Sequence, residues 1–194
     1  MSSPHTNRLM DQARINLPGA IDGAMLVEFY SVLKEFFTRS NAWTEEIGFT
    51  TILGEKDYTL TPTAGAIIRL LGVVEDERNP VNASMATPAA LKLSWEPTEV
   101  RPLVAHVVIC VSDASATTDY PVYPQWIVDK YHNEILDGLL GRMMAQTAKP
   151  YSAPGAAMVR LRNFRAGTNQ AKLEASRRNV FAAPAWRFPR SFAM

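Results

Sequence analysis

The spacing of apolar residues changes twice along this 194-residue chain, and those changes limit the folds it can adopt. From Met25 to Phe37 apolar residues recur at helical spacing, from Ile47 they alternate as in a strand, and from Ile127 the helical spacing returns. The sequence therefore predicts an α+β fold, an antiparallel helical bundle with an inserted small antiparallel β unit. The predicted helices lie at about 22–40, 124–146 and 154–178, and the β unit lies at about 47–112.

The two ends of the chain fit neither pattern. Residues 1–21 are polar and contain a Pro18-Gly19 break, so we expect a loosely held N-terminal arm. Residues 179–194 contain two prolines, which exclude a helix, and several aromatic side chains that are costly to leave in water. We predict an extended C-terminal docking arm here, with fold-back onto its own domain as the alternative. Its candidate partner-binding residues are Val180, Phe181, Trp186, Arg187, Phe188, Arg190 and Phe192.

Charge is distributed unevenly along the chain. Residues 156–194 carry eight basic side chains and one acid, a net charge of +7, whereas residues 1–155 carry 12 basic side chains and 18 acids, a net charge of −6. This asymmetry favours a nucleic acid or an acidic protein as partner for the basic end.

The predicted third helix carries a basic face. Arg162, Arg165 and Lys172 fall within about 80° of one another, at about 100° per residue, away from the helix's stripe of small residues. This face is a candidate contact with another subunit, a partner protein or the DNA backbone. The alternative is a solvated helix surface.

The residues that could carry catalysis or bind a metal are not accompanied in the sequence by the partner residues that such chemistry requires. Ser112 and His106 are close in sequence, but no G-x-S-x-G motif surrounds either one. His132 has Asp129 nearby without a further ligand cluster, so we expect a solvated helix face there. Cys110 is the single cysteine, which excludes an intrachain disulfide framework. We expect a protein that is not an enzyme and uses no cofactor.

Nothing in the sequence predicts a membrane partner. No stretch approaches the ~20 uncharged apolar residues of a spanning helix, and the N-terminus lacks the apolar segment of a signal peptide. We therefore expect a soluble protein that is made in the cytosol.

Three segments of the chain together resemble a known family. They are LPGAIDGAMLVEFYSVLKEFFTRSNAW at 17–43, ILGEKDYTLTPTAGAIIRLLGVVED at 52–76 and YPQWIVDKYHNEILDGLLGRMMAQTAKPYS at 123–152. An arginine- and alanine-rich helix follows the third segment. Over about 17–180 the sequence resembles the head-to-tail adaptor, or connector, proteins of tailed bacteriophages. The motifs that carry the resemblance are structural, since they describe helix packing rather than chemistry.

The resemblance implies a virion structural protein, assembled in the host bacterial cytoplasm and located at the head-to-tail interface. Such adaptors form a homo-oligomeric ring, of twelve copies by family resemblance, beneath the portal protein. The ring extends the channel through which double-stranded DNA passes without specific binding, and it is the platform for a tail or nozzle protein. The C-terminal arm is expected to reach the portal. Two alternatives stay open: another tail-completion protein, and a DNA-binding regulator that uses the basic helix at 156–178.

Overall fold

The computed structural model describes residues 4–75, 79–112 and 122–178. Within these ranges the chain forms five helices and seven strands, a mixed architecture of helices and antiparallel sheets. The helices are α1 (Pro4–Asn16), α2 (Asp22–Ser40), α3 (Gln125–Lys130), α4 (His132–Met144) and α5 (Pro154–Arg178). The strands are β1 (Thr44–Thr50), β2 (Asp57–Thr59), β3 (Ala66–Glu75), β4 (Asn79–Val81), β5 (Ala83–Thr87), β6 (Ala90–Leu93) and β7 (Pro102–Cys110).

The β unit consists of two antiparallel sheets, and β7 is its main apolar strand. The larger sheet has the order β1-β7-β3-β4, and the smaller one has the order β2-β6-β5. From Val107 to Cys110 every residue of β7 is buried, because α2 packs against this strand. Phe49 of β1 and Tyr58 of β2 join the two sheets, with ring centroids 5.1 Å apart. The β unit begins at Thr44, slightly before its predicted start at about residue 47.

The α2, α4 and α5 helices pack on one another and share a core. The apolar stripe of α2 that the sequence predicts is buried at Phe29, Leu33 and Phe36. Ile135 of α4 and Phe164 of α5 are buried with them. The changes in apolar spacing along the sequence therefore correspond to separate helical and strand regions in the structure.

Two glycines of α4 let α5 approach closely. A Cβ atom on Gly138 would lie 2.8 Å from both Phe164 Cδ2 and Val32 Cγ1, and one on Gly141 would lie 2.8 Å from Leu161 Cγ. Distances this short are not compatible with an undisturbed contact. The helix–helix contact therefore requires the absence of side chains at these positions.

The N-terminal arm expected at 1–21 is wrong for the described part of that segment. Residues 4–16 form α1, and the side chains of Leu9, Met10, Ala13 and Leu17 are buried in the main core. Their spacing places them on one side of a helix, and α4 supplies the surface that this side packs against. Burial of apolar area holds the segment, although most of its other side chains are polar.

The start of α2 is tied to α1 by an ion pair. Ile21 is the N-cap residue of α2, and it makes no side-chain capping bond. Asp22, the first residue of α2, accepts hydrogen bonds from Arg14 Nε at 3.0 Å and Nη2 at 2.9 Å. This guanidinium lowers the pKa of the Asp22 carboxyl.

The single helix expected at 124–146 is two helices. Tyr131 has φ −107° and ψ 32°, outside the helical range, and separates α3 from α4. Its ring packs against Phe36 at a centroid distance of 5.3 Å, and its hydroxyl donates to Glu174 at 2.8 Å. His132, expected on a solvated face, is half-buried, with Nε2 2.6 Å from Gln12 Oε1 of α1.

Gly138→Ala tests the close contact between α4 and α5. We expect the free energy of unfolding to fall by ~1–3 kcal/mol, because overpacking outweighs the gain of up to about 1 kcal/mol in helix propensity. Gly155→Ala is the matched control, since a Cβ atom there meets nothing within 4 Å. Urea unfolding of the three proteins gives the comparison. A Gly138→Ala protein as stable as the control would contradict the close contact.

Leu9→Ala tests whether α1 belongs to the core. Leu9 is fully buried, so we expect a loss of ~2–5 kcal/mol in unfolding free energy. Ile15→Ala on the same helix is the control, because Ile15 is 81% exposed and its removal leaves no cavity. Equal denaturation midpoints for the two variants would restore the loose-arm interpretation.

Candidate interaction surface

The α5 helix is the longest element of the described structure, and only one of its sides packs against the core. It spans 25 residues, or about 37 Å at about 1.5 Å per residue. Ala157, Phe164, Thr168 and Ala171 are buried toward α4 and α2. The buried Thr168 hydroxyl donates to the Phe164 carbonyl at 2.8 Å, so this polar group is satisfied within the helix. The opposite side of α5 therefore faces away from the core.

Polar contacts fix the rotation of α5 near both of its ends. In the first half, Arg160 Nη1 lies 2.5 Å from Asp137 Oδ1 of α4, and Asn163 Nδ2 donates to the other oxygen at 3.1 Å. In the second half, Glu174 accepts hydrogen bonds from Lys130 Nζ and from the Tyr131 hydroxyl. Because the two clusters lie on the inward flank, they hold the outward side in a defined direction.

The contacts of Glu174 change its acidity. The hydrogen bond from Lys130, followed by that from Tyr131, lowers the pKa of the Glu174 carboxyl to about 2. The same contact raises the pKa of Lys130. Burial, followed by the bond to Glu174, raises the pKa of the Tyr131 hydroxyl. All three groups thus keep one charge state across the neutral pH range.

The outward side of α5 carries positive charge and no acid. We call the exposed Arg162, Arg165, Lys172 and Arg177 the basic face. None of the four has an ion-pair partner within the described ranges. Three large apolar side chains lie beside them. They are Met158, Val159 and Leu173, which are 75%, 60% and 60% exposed. Apolar groups beside unpaired arginines are the composition expected of a protein-binding surface.

The structure brings the predicted basic residues together and adds others. Arg162, Arg165 and Lys172 are exposed on one side of α5, as the helical spacing predicted, while their role as a contact stays a prediction. Sequence reasoning missed Met158 and Leu173 as surface residues. The available signal was their position opposite the stripe of small residues. The docking-arm residues Val180, Phe181, Trp186, Arg187, Phe188, Arg190 and Phe192 lie outside the described part of the chain.

A groove that the sequence did not predict lies beside the last turns of α5. We call it the Trp126 groove; it encloses about 280 Å³ between α3, α5 and the turn after α2. Its walls include Ala42 and Trp43 on one side and Ile127 and Ala175 on the other. Trp126 lines it and is 57% exposed, an unusual position for a large aromatic side chain. A smaller extension of about 40 Å³ continues toward Lys130 and Glu174.

Chemistry-bearing clusters are absent from what the structure describes. Residues 4–75, 79–112 and 122–178 contain no group of three or more His, Cys, Asp or Glu side chains that could hold a metal ion. Over the same ranges no helix combines the length and the hydropathy that a membrane crossing requires.

Comparisons with known proteins assign no family. No protein-family model matches the sequence, and no curated protein matches it at a significant level.

Glu174→Gln tests the contact that fixes the second half of α5. We expect a lower urea midpoint at pH 7, because the neutral amide loses the charged hydrogen bond from Lys130. The folded-state pKa of Glu174 lies below its ordinary value of 4.5, so its contribution is complete above that pH and is lost as the pH falls toward 2. The difference between wild type and variant should shrink over this interval.

The control for this experiment is Glu96→Gln. Glu96 forms an exposed ion pair with Lys56 at 3.0 Å, and exposed pairs contribute little to stability. A pH-independent difference for Glu174→Gln, or one equal to that of the control, would contradict the assigned role.

Proposed function

We propose that this chain is a virion structural protein, the head-to-tail adaptor of a tailed bacteriophage. In this proposal the copies form a ring under the portal protein, of twelve copies by family resemblance. The ring extends the DNA channel and offers a platform for a tail or nozzle protein. The resemblance of the three segments at 17–43, 52–76 and 123–152 supports the assignment, as does the basic face of α5. The arrangement of the helices of this chain as an antiparallel bundle, which the sequence predicts, belongs to the same proposal.

The single observation that carries the proposal is the unpartnered outward side of α5. A rigid helix of 25 residues displays four unpaired cations and three exposed apolar side chains. A monomer that keeps such a surface in water gains nothing from it, whereas a neighbouring subunit or partner can remove the apolar area from water. An assembly protein therefore accounts for this surface better than a solitary domain does.

The charge distribution supports a channel that does not hold DNA. Tight binding to duplex DNA comes largely from cations that neutralise phosphates. Residues 1–155 carry a net charge of −6, so a lumen lined by this part of the chain would repel the backbone. The basic face of α5 and the C-terminal arm would then contact protein: another copy, the portal, or the tail-side partner.

A DNA-binding regulator is the second candidate, and the same basic face favours it. Arg162, Arg165 and Lys172 point outward without ion-pair partners in the described part of the chain, as side chains that contact phosphates would. This reading leaves the exposed Met158 and Leu173 without a role, because phosphate contacts do not bury apolar area. Another tail-completion protein would use these surfaces in the same way as an adaptor.

Truncation after Ala182 tests the adaptor proposal. The shortened protein keeps the described fold but lacks the anchors Trp186, Phe188 and Phe192, so we expect it to lose co-sedimentation with portal particles. The charge reversal Arg162→Glu, Arg165→Glu and Lys172→Glu should lower the yield of rings measured by mass and electron microscopy. Lys149→Glu, a single exposed charge outside the basic face, is the control and should assemble normally.

A gel shift with duplex DNA separates the two candidates. Two results together would contradict the adaptor proposal and favour the regulator. The wild type would bind duplex DNA in a salt-sensitive way that the charge reversal abolishes, and it would not bind the portal protein. Retention on portal after truncation would show that the arm is not the docking element.

A further inference from the structure

Two turns at one end of the β unit expose three aliphatic side chains. One turn, at 51–55, follows β1, and the other, at 96–101, precedes β7. We call Ile52, Leu53 and Val100 the apolar tip; they are 54%, 60% and 65% exposed. Apolar side chains that are gathered in this way on a surface are typical of a contact with another protein.

Hydrogen bonds between the two turns hold the apolar tip in one shape. Thr51 is buried, donates from Oγ1 to the Glu99 carbonyl at 2.9 Å and accepts from the Arg101 N–H at 2.7 Å. The Gly54 N–H donates to the carbonyl of the buried Pro97 at 3.0 Å. A surface that is already ordered loses little entropy on binding, so less of the gain from apolar burial is offset.

The strand β7 places the apolar tip away from the helices. Thr50, the residue before the first turn, pairs with Pro102 at the start of β7. Cys110, at the end of β7, lies against α2, with its Sγ 3.6 Å from Thr38 Oγ1. The nine residues between these ends span about 30 Å, at about 3.3 Å per residue. Since α5 packs on α2 and α4, the apolar tip and the basic face belong to separate regions of one copy.

The two surfaces carry opposite charge. Residues 51–57 and 96–101 together contain four acids and two bases, a net charge of −2. Glu55 of the first turn is exposed and forms no ion pair within the described ranges. Glu99 of the second turn is exposed as well, and its ion pair with Arg101 uses one of its two carboxylate oxygens. The apolar tip is therefore bordered by carboxylates that a cationic surface can approach.

The outward side of α5 has the complementary composition. Five exposed residues fall within an arc of about 100°, at about 100° per residue, and they are Met158, Arg162, Arg165, Lys172 and Leu173. Met158 and Leu173 lie about 22 Å apart along the axis, at about 1.5 Å per residue, with cations between them. Aliphatic side chains beside acids thus match aliphatic side chains beside cations, which is the complementarity that selects one partner surface.

We propose that the apolar tip of one copy docks on the basic face of α5 in the next copy. The proposal rests on the ring function proposed above and names the two surfaces through which the copies meet. The aliphatic side chains of the tip leave water against Met158 and Leu173, while Glu55 approaches the cations. Because the two surfaces differ, the contact is head-to-tail. Each copy uses its tip on one neighbour and its basic face on the other, and such a series closes into a ring when its rotation allows.

Sedimentation of the full-length protein over a range of concentrations tests this contact with variants of either surface. The tip variant is Ile52→Lys with Leu53→Lys, and the face variant is the charge reversal Arg162→Glu, Arg165→Glu and Lys172→Glu. We expect each variant to raise the dissociation constant of self-association by at least about tenfold, because each loses anchors of the contact. Val100→Lys, in the other turn, should act like the tip variant.

The matched control is Ile15→Lys with Val27→Lys. It replaces two exposed apolar residues of α1 and α2 and adds the same charge as the tip variant, so it should associate like the wild type. The substituted side chains are all exposed, and equal urea midpoints would show that the variants are folded. Combining the tip and face substitutions in one chain should restore part of the association, because lysines then meet glutamates.

Several results would overturn the proposed contact. They are a wild type that stays monomeric at every concentration, a final particle of only two copies, a tip variant that associates like the control, and a combined variant no stronger than its parents. None of these measurements uses the portal protein. Tip-dependent assembly without portal binding would contradict the adaptor proposal alone, whereas rings that bind portal and tolerate the tip variant would contradict only this contact.

Discussion

The close contact between α4 and α5 is the constraint on which the rest of the described structure depends. It exists because Gly138 and Gly141 have no side chains, which lets Phe164 and Leu161 reach the surface of α4. Dispersion and apolar burial at this short distance hold the buried stripe of α5 against α4, and the polar contacts of Asp137 and Glu174 fix the rotation of α5 together with them. That rotation turns the small-residue stripe inward and the basic face outward. A larger residue on α4 would move both faces together.

The sheets are attached to this helical layer through α2. One side of α2 contacts α4 and α5, and another side contacts β7, so α2 is buried along most of its length. The β unit therefore shares one continuous core with the helices, and Trp43 and Phe37 lie at the junction.

Pairing inside the fold explains why the exposed charge of α5 is of one sign. Arg142 forms ion pairs with Glu28 and Glu35 of α2, and Arg160 forms an ion pair with Asp137. Glu174, the one acid of α5, is committed to Lys130 and Tyr131. Arg162, Arg165, Lys172 and Arg177 of the same helix have no ion-pair partner within the described ranges. A surface of this kind gains most from an acidic or apolar partner, which is the physical basis of the assembly role that we propose.

From residue 22 onward, the sequence by itself determined which regions are helical and which form strands, the bounds of α2 and α5, and the exposure of Arg162, Arg165 and Lys172. These features follow from local periodicity, which a helix translates directly into faces. Only the tertiary structure decided that Leu9 and Leu17 belong to the core, because a short stripe among polar residues is held only once α4 offers a complementary surface. The same holds for the break at Tyr131, whose contacts with Phe36 and Glu174 come from distant parts of the chain. The Trp126 groove is also a tertiary feature, since residues from three separate segments form its walls, and no local pattern records how such segments meet.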